Sequence, residues 1–147
     1  MDTILTRRFL DTCHIAKHLL NCLPPLPVWM TPRQIKVIDT LHQLQETQDT
    51  IRISDIASSM SGTLPSITRM VNELEKHDVL SKRPCNTDKR AHSLSLTPYG
   101  EELYGHYVKD FHAHIAQLFE EIDDEDMITT INVISRAKEL LKASDLS

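Results

Sequence analysis

The sequence predicts a mainly α-helical fold with one small β-hairpin set ahead of its last helices. Three observations carry that prediction. Apolar residues recur in steps of three and four through most of the 147 residues, the signature of helices with one buried face. Threonine followed closely by proline, at Thr31-Pro32, Thr63-Leu64-Pro65 and Thr97-Pro98, marks three helix starts. Between residues 79 and 97 the pattern shifts to strand-like alternation around a polar, turn-rich middle.

The first helix is expected over residues 4–23. Leu5, Phe9, Cys13, Ala16, Leu20 and Leu23 form one stripe, and Leu23-Pro24-Pro25-Leu26-Pro27 ends it. Thr31 caps the second helix, with Pro32 in its first turn and Gln34 placed for a capping box. Ile35, Ile38, Leu41, His42 and Leu44 give that helix its apolar face, and residues 45–50 read as a loop. Ile51-Arg52-Ile53 favours a short strand, and Ser54 to Met60 a short helix. Ser61-Gly62 makes a turn. Thr63 then caps a helix to about His77, with Ile67, Met70, Val71 and Leu74 inward. Its other face carries Ser66, Thr68, Arg69, Asn72 and Glu73. Val79–Arg83 and His92–Leu96 form the hairpin, whose charged tip holds Asp88, Lys89 and Arg90. A fifth helix follows Thr97, with a stripe from Leu103 through Tyr107, Phe111, His114, Ile115 and Leu118 to Ile122. Asp123-Asp124-Glu125-Asp126 opens the last helix, where carboxylates meet the positive end of the dipole, and Met127, Ile131, Ile134, Ala137 and Leu141 are expected inward.

Composition narrows the function. Hydrophobic residues make up 40% and charged residues 25%, the balance of a globular protein, and no apolar run reaches the ~18 residues of a membrane helix. The N-terminus lacks the basic-then-apolar order of a signal peptide. Three cysteines without a CxxC pair exclude a disulfide framework, so a reducing, cytoplasmic setting is expected. With 3 glycines and no GxGxxG or GxxxxGK[ST], a nucleotide-using enzyme is not expected, and no Cys/His spacing suggests a catalytic constellation. Net charge is −5, but its distribution is uneven. Residues 64–97 hold six basic against four acidic residues, and residues 98–147 hold four against eleven. A local basic surface governs nucleic-acid binding more than the total does.

Two short helices joined by a tight turn and followed by a hairpin make a winged helix-turn-helix. A helix with small polar groups and an arginine in its N-terminal half can enter the major groove of double-stranded DNA, and its first-turn N–H groups favour a phosphate. Thr63, Pro65, Ser66, Thr68, Arg69 and Asn72 are the candidate contacts there. Lys89 and Arg90 can reach a narrow minor groove, with Asp88 holding Arg90 extended.

Residues 51–103 resemble the MarR (multiple antibiotic resistance regulator) family of bacterial transcription factors. The likeness rests on Ile53-Ser54-Asp55-Ile56-Ala57, on Ser66-Ile67-Thr68-Arg69-Met70-Val71-Asn72-Glu73-Leu74-Glu75-Lys76, and on Asp88-Lys89-Arg90 with Leu94-Ser95-Leu96-Thr97-Pro98-Tyr99-Gly100 downstream. Asp78 stands where the family pattern has glycine, and Asp tolerates the left-handed backbone better than most residues. The resemblance implies a recognition helix over 63–77 and a wing over 79–97. It also implies N- and C-terminal dimerisation helices and a homodimer that represses transcription until an effector intervenes. The corresponding regions are 1–30 (first helix and proline linker), 31–97 (DNA-binding region) and 98–147 (C-terminal dimerisation helices). The alternative is a winged-helix protein-interaction module that does not bind DNA.

Three sensing routes are open on this reading. A small phenolic or other organic effector could sit among Trp29, Tyr104, Tyr107 and Phe111, though aromatics at helical spacing are more often core. No resident cofactor is expected. A metal-sensing relative would use His106, Asp110 and His114, at i, i+4, i+8, although two ligands on one helix do not make a site. A redox-sensing relative would use Cys13, on the apolar stripe, or Cys85, expected to be exposed beside Lys82 and Arg83.

Overall fold

The computed structural model describes residues 1–85 and 92–144. Asp88, Lys89 and Arg90 lie outside the described residues. The chain divides into two compact units, Met1–Phe111 and His112–Ser147; the boundary expected at residues 97/98 falls inside the first.

In the first unit, α1 (Thr3–Leu19) is capped by Asp2, whose carboxylate accepts from the Ile4 amide at 3.0 Å. It stops four residues short of the expected end. The helical carbonyls of residues 20 and 21 would need amide donors at residues 24 and 25, and both are prolines. Turns at Asn21 and Cys22 take over, and no residue of α1 is buried. The stripe that includes Cys13 therefore stays largely open in the single chain.

Helix α2 (Pro32–Gln45) starts on a complete capping box. Thr31 Oγ1 accepts from the Gln34 amide at 3.3 Å, and Gln34 Oε1 accepts from the Thr31 amide at 2.8 Å. Val37, Ile38 and Leu41 form the centre of the core with Ile56, Ile67, Val71 and Leu74 from the next two helices. Ile51 does not start a strand. It adds one strand-like rung beside the wing, accepting from the Leu94 amide at 2.8 Å, and α3 (Ile53–Met60) begins two residues later, where Asp55 accepts from the Arg52 amide.

Ser61, not Gly62, takes the left-handed turn after α3, with φ 53°. Gly62 has a different use, since a Cβ there would come within 3.1 Å of Ile67. Helix α4 (Leu64–Lys76) buries Ile67, Met70, Val71 and Leu74, the stripe its spacing predicts. It ends at Asp78, φ 60°, with the Val79 amide donating to the Leu74 carbonyl at 2.9 Å. Strands β1 (Leu80–Pro84) and β2 (His92–Leu96) then pair antiparallel, with Leu80 opposite Leu96 and Lys82 opposite Leu94. Cys85, at the end of β1, is 8% exposed. The expectation of an exposed thiol is corrected: the sequence around it is polar, yet the fold covers it.

Thr97 caps α5 (Pro98–Tyr104), its hydroxyl accepting from the Gly100 amide at 3.0 Å. The helix then widens into a π-helical turn over Gly105–Asp110, which buries Tyr107 and Val108, before α6 (Phe111–Leu118). The expected single stripe from Leu103 to Ile122 is thus interrupted, because a π-helical turn carries an extra residue and shifts the phase of the face. His114 on that stripe is exposed.

In the second unit, α7 (Asp124–Ala143) is capped by Asp123, which accepts from the amides of Glu125 and Asp126. No residue of α7 is buried, and Ile131, Ile134 and Leu141 stand about half exposed. The inward face expected for them has no cover within one chain.

Two outcomes follow from the packing of α5. A Cβ at Gly100 would stand 2.0 Å from the Val79 carbonyl oxygen. Gly100→Ala is therefore expected to lower stability by about 1–3 kcal/mol in urea unfolding, the usual range for overpacking. Tyr104 stacks on His42 of α2, with ring centroids 3.6 Å apart. Its hydroxyl is held above the ordinary 10.0 by burial first, and then by the charges of Asp39, Glu46 and Glu101. A raised folded-state value means this contribution is full below the unfolded value and is lost as pH rises through the folded one. Urea unfolding above pH ~10 should show the parent losing stability more steeply than Tyr104→Phe.

Candidate nucleic-acid interface

Helix α4 is divided by its own periodicity. Ile67, Met70, Val71 and Leu74 anchor it in the core, so Pro65, Arg69, Asn72, Glu73 and Lys76 must face away from it. Thr63 accepts from the Ser66 amide at 3.4 Å, which sets the first turn. The Thr68 hydroxyl donates to the Leu64 carbonyl at 2.7 Å, leaving its lone pairs for an incoming donor. Ser66 is half-buried and lies on a different side of the helix from Thr68. Arg69 is well exposed, its side chain 84% accessible, with Nε 3.8 Å from Glu73 Oε1. Leu64 adds an exposed apolar contact next to these polar groups.

An open hollow of about 600 Å³ runs along this face, lined by Leu64, Pro65, Thr68, Arg69, Asn72, Glu73 and Lys76. A second, of about 890 Å³, lies between α4 and the wing, and Arg52, Lys82 and His92 contribute to its wall. Together they make an open surface along α4, in which charged and hydroxyl side chains alternate with the apolar Leu64, Pro65, Ile53 and Leu80.

The wing is tied to this helix by a residue that the sequence reading did not place at the site. Lys82 of β1 donates to Asn72 Oδ1 and lies 3.5 Å from Glu75 Oε2. Asn72 thus has its carbonyl oxygen engaged by the wing, so it sets the helix–wing spacing as well as facing outward. Gln34 and Glu73 were missed as well. The Gln34 amide donates to Glu73 Oε2 at 2.9 Å across 39 residues of sequence. The capping-box spacing exposed one half of Gln34's role; no local pattern exposes the other.

The aromatic candidates do not gather around one cavity. Trp29 stacks on His77 at the C-terminal end of α4, with centroids 3.9 Å apart and planes 8° from parallel. Tyr104 stacks on His42 instead. Tyr107 is buried, donates its hydroxyl to the Pro25 carbonyl at 3.3 Å, and meets His106 edge-on. Phe111 is half-buried at the end of the unit. None of the four lines either of these two hollows, and each of the first three rings packs on a histidine or a carbonyl.

Among the described residues no three or more His, Cys, Asp or Glu side chains converge to hold a metal ion. His106, Asp110 and His114 belong to no such group in the single chain. Cys13 is half-exposed, and Cys22 is exposed with its thiol directed to the His18 carbonyl. No described helix is long and apolar enough to cross a membrane.

Comparison with known proteins agrees with this architecture. The chain is similar in fold to a MarR/EmrR family transcriptional regulator from Acinetobacter sp. ADP1, with a TM-score of 0.70 at 16% identity, covering 95% of this chain and 98% of the other. It is similar to S. aureus MepR in a MepR–DNA complex, with a TM-score of 0.63 at 18% identity over 95% and 96% of the two chains. It is similar also to Bordetella bronchiseptica BpsR, whose DNA binding is regulated by 6-hydroxynicotinic acid, with a TM-score of 0.68 at 15% identity over 91% and 98%. The family model for MarR matches residues 30–92. That stretch carries the boxed start of α2, the α3–α4 pair and β1, so the likeness to the MarR family falls on the elements that build the candidate interface.

Proposed function

We propose that the protein is a sequence-specific double-stranded DNA-binding regulator, a repressor that acts in the cytoplasm and reads a pseudo-palindromic operator as a homodimer. The observation that carries this reading is the exposed face of α4. It presents an arginine that is 84% exposed, beside small hydroxyl residues, over an apolar face locked in the core. Arg69 reaches a guanine edge in the major groove, and Ser66 and Thr68 meet phosphates or neighbouring bases. Lys89 and Arg90 enter the adjoining minor groove. The likeness to MepR, solved with DNA, supports this docking mode.

The homodimer has a physical basis. Ile4, Leu5, Leu10 and Ile15 on α1 and Ile128, Ile131, Val133, Ile134, Leu140 and Leu141 on α7 are each about half exposed or more. Apolar surface on that scale is covered in a soluble protein by a partner, and two-fold symmetry supplies one. Two copies of α4 then reach major grooves about one turn (~34–36 Å) apart.

Release by a small aromatic acid is the regulatory half of the proposal. It draws on the likeness to BpsR. An effector that binds one spacing of the two reading helices better than another shifts DNA affinity by that difference. The chain is read as a regulator and not as an enzyme.

In a mobility assay on the protein's own promoter region, Arg69→Ala should lose about 1–3 kcal/mol of discrimination, roughly 5- to 150-fold. Arg90→Ala should weaken binding through the minor groove. Parent affinity should fall steeply between ~50 and ~200 mM salt. Binding unchanged in both variants and flat with salt would favour the protein-interaction module. Sedimentation should give twice the chain mass of 16.8 kDa, and a single-chain species would remove the two-groove geometry.

A further inference from the structure

Arg69 is fully solvated on one side, and a side chain with that freedom loses rotamer entropy when it docks. Its neighbour Glu73 is one helical turn on, with Oε1 3.8 Å from Arg69 Nε. An exposed pair of this kind normally contributes little, because both partners wander. Here one partner cannot. Glu73 Oε2 accepts from Gln34 Nε2 at 2.9 Å, and Gln34 is 1% exposed. The other end of the same amide is fixed, since Gln34 Oε1 accepts from the Thr31 amide at 2.8 Å. The carboxylate is therefore held from the core through a buried amide whose two polar atoms are both engaged.

The geometry also decides which part of the guanidinium remains free. Glu73 stands by Nε, so the two Nη groups keep their outward fork for bidentate recognition of a base edge. The same negative charge, half exposed beside the reading residue, repels phosphate wherever Arg69 has no base to bind. It lowers affinity for arbitrary DNA while orienting the arginine for its own site.

Resting on the reading of α4 as the DNA-contacting helix, we infer that Glu73, anchored by buried Gln34, is a specificity-determining positioning residue that presets Arg69 for base recognition and suppresses non-specific binding. Lys82, which engages Asn72 and Glu75, holds the same helix to the wing on its other flank but does not touch this relay.

The test uses the full chain and Glu73→Gln. The substituted amide oxygen can still accept from Gln34, so the fold keeps its hydrogen bond and loses only the charge. Two readouts are taken. The first is affinity for a duplex selected by the parent from a random-sequence pool, against affinity for a scrambled duplex of equal length. Glu73→Gln should bind the scrambled duplex roughly two- to threefold more tightly and the selected one more weakly. The ratio of the two should fall about tenfold, with the thermal midpoint unchanged. The second is the order of the Arg69 Nε–H bond by nitrogen relaxation in the DNA-free protein, which should be higher in the parent than in Glu73→Gln.

An unchanged affinity ratio, or an Arg69 side chain as mobile in the parent as in the variant, overturns the inference and leaves Glu73 as a structural acceptor for Gln34. Failure of the random pool to yield a preferred duplex overturns the DNA-reading proposal, and the Nε–H measurement still decides whether Glu73 orders Arg69.

Discussion

Val79 is the point on which the exposed face of α4 depends. Its amide closes the end of α4 by donating to Leu74, and its carbonyl accepts from the Thr97 amide at 3.0 Å. The Thr97 hydroxyl also lies 2.6 Å from the Asp78 carbonyl and 3.1 Å from that of Val79, and Gly100 packs its bare Cα against the same carbonyl. Three elements thus start or stop within one hydrogen-bonded knot: α4, β1 and α5. Because the peptide group is buried, each of its polar atoms needs a partner. No one of the three elements can move without leaving some polar group unpaired.

That constraint explains why the site is stiff although its side chains are exposed. The apolar stripe of α4 sets its rotation about its axis, the knot sets where it ends, and Lys82 sets its distance from the wing. The outward row from Pro65 to Lys76 stays exposed, and within it Asn72 is engaged by Lys82, Glu73 by Gln34, and Arg69 lies beside Glu73. Preorganisation of this kind converts an exposed helix into a directional one.

Much of the fold was legible because its signals are local. The helix starts at Thr31, Thr63 and Thr97 are written in a hydroxyl, a proline and the residue three places on. The inward stripe of α4 is written in its period. The hairpin shows as a change from steps of three and four to steps of two. What was not legible depends on groups distant in sequence. The bond between Gln34 and Glu73 spans 39 residues, and neither residue advertises it. The π-helical turn interrupts a stripe that looks regular, because Tyr107 and Val108 are drawn into the core by their surroundings. Cys85 sits among polar neighbours and is covered all the same. The end of α1 is expected at the prolines themselves, whereas the amide donors that Pro24 and Pro25 lack already end it four residues earlier.

Left-handed backbone occurs at two described non-glycine residues, Ser61 and Asp78, one on each side of α4, while none of the three glycines has a positive φ. In the unfolded chain, serine and aspartate roam less than glycine would, so the turns that bracket this helix surrender less disorder on folding, in exchange for a small steric strain in the native state. On the proposed function the first peptide groups of α4 meet a phosphate, an ability that any helix loses when its ends fray. Hinges that are stiff before folding, and unable to relax into extra conformations afterwards, keep those peptide groups in line between encounters.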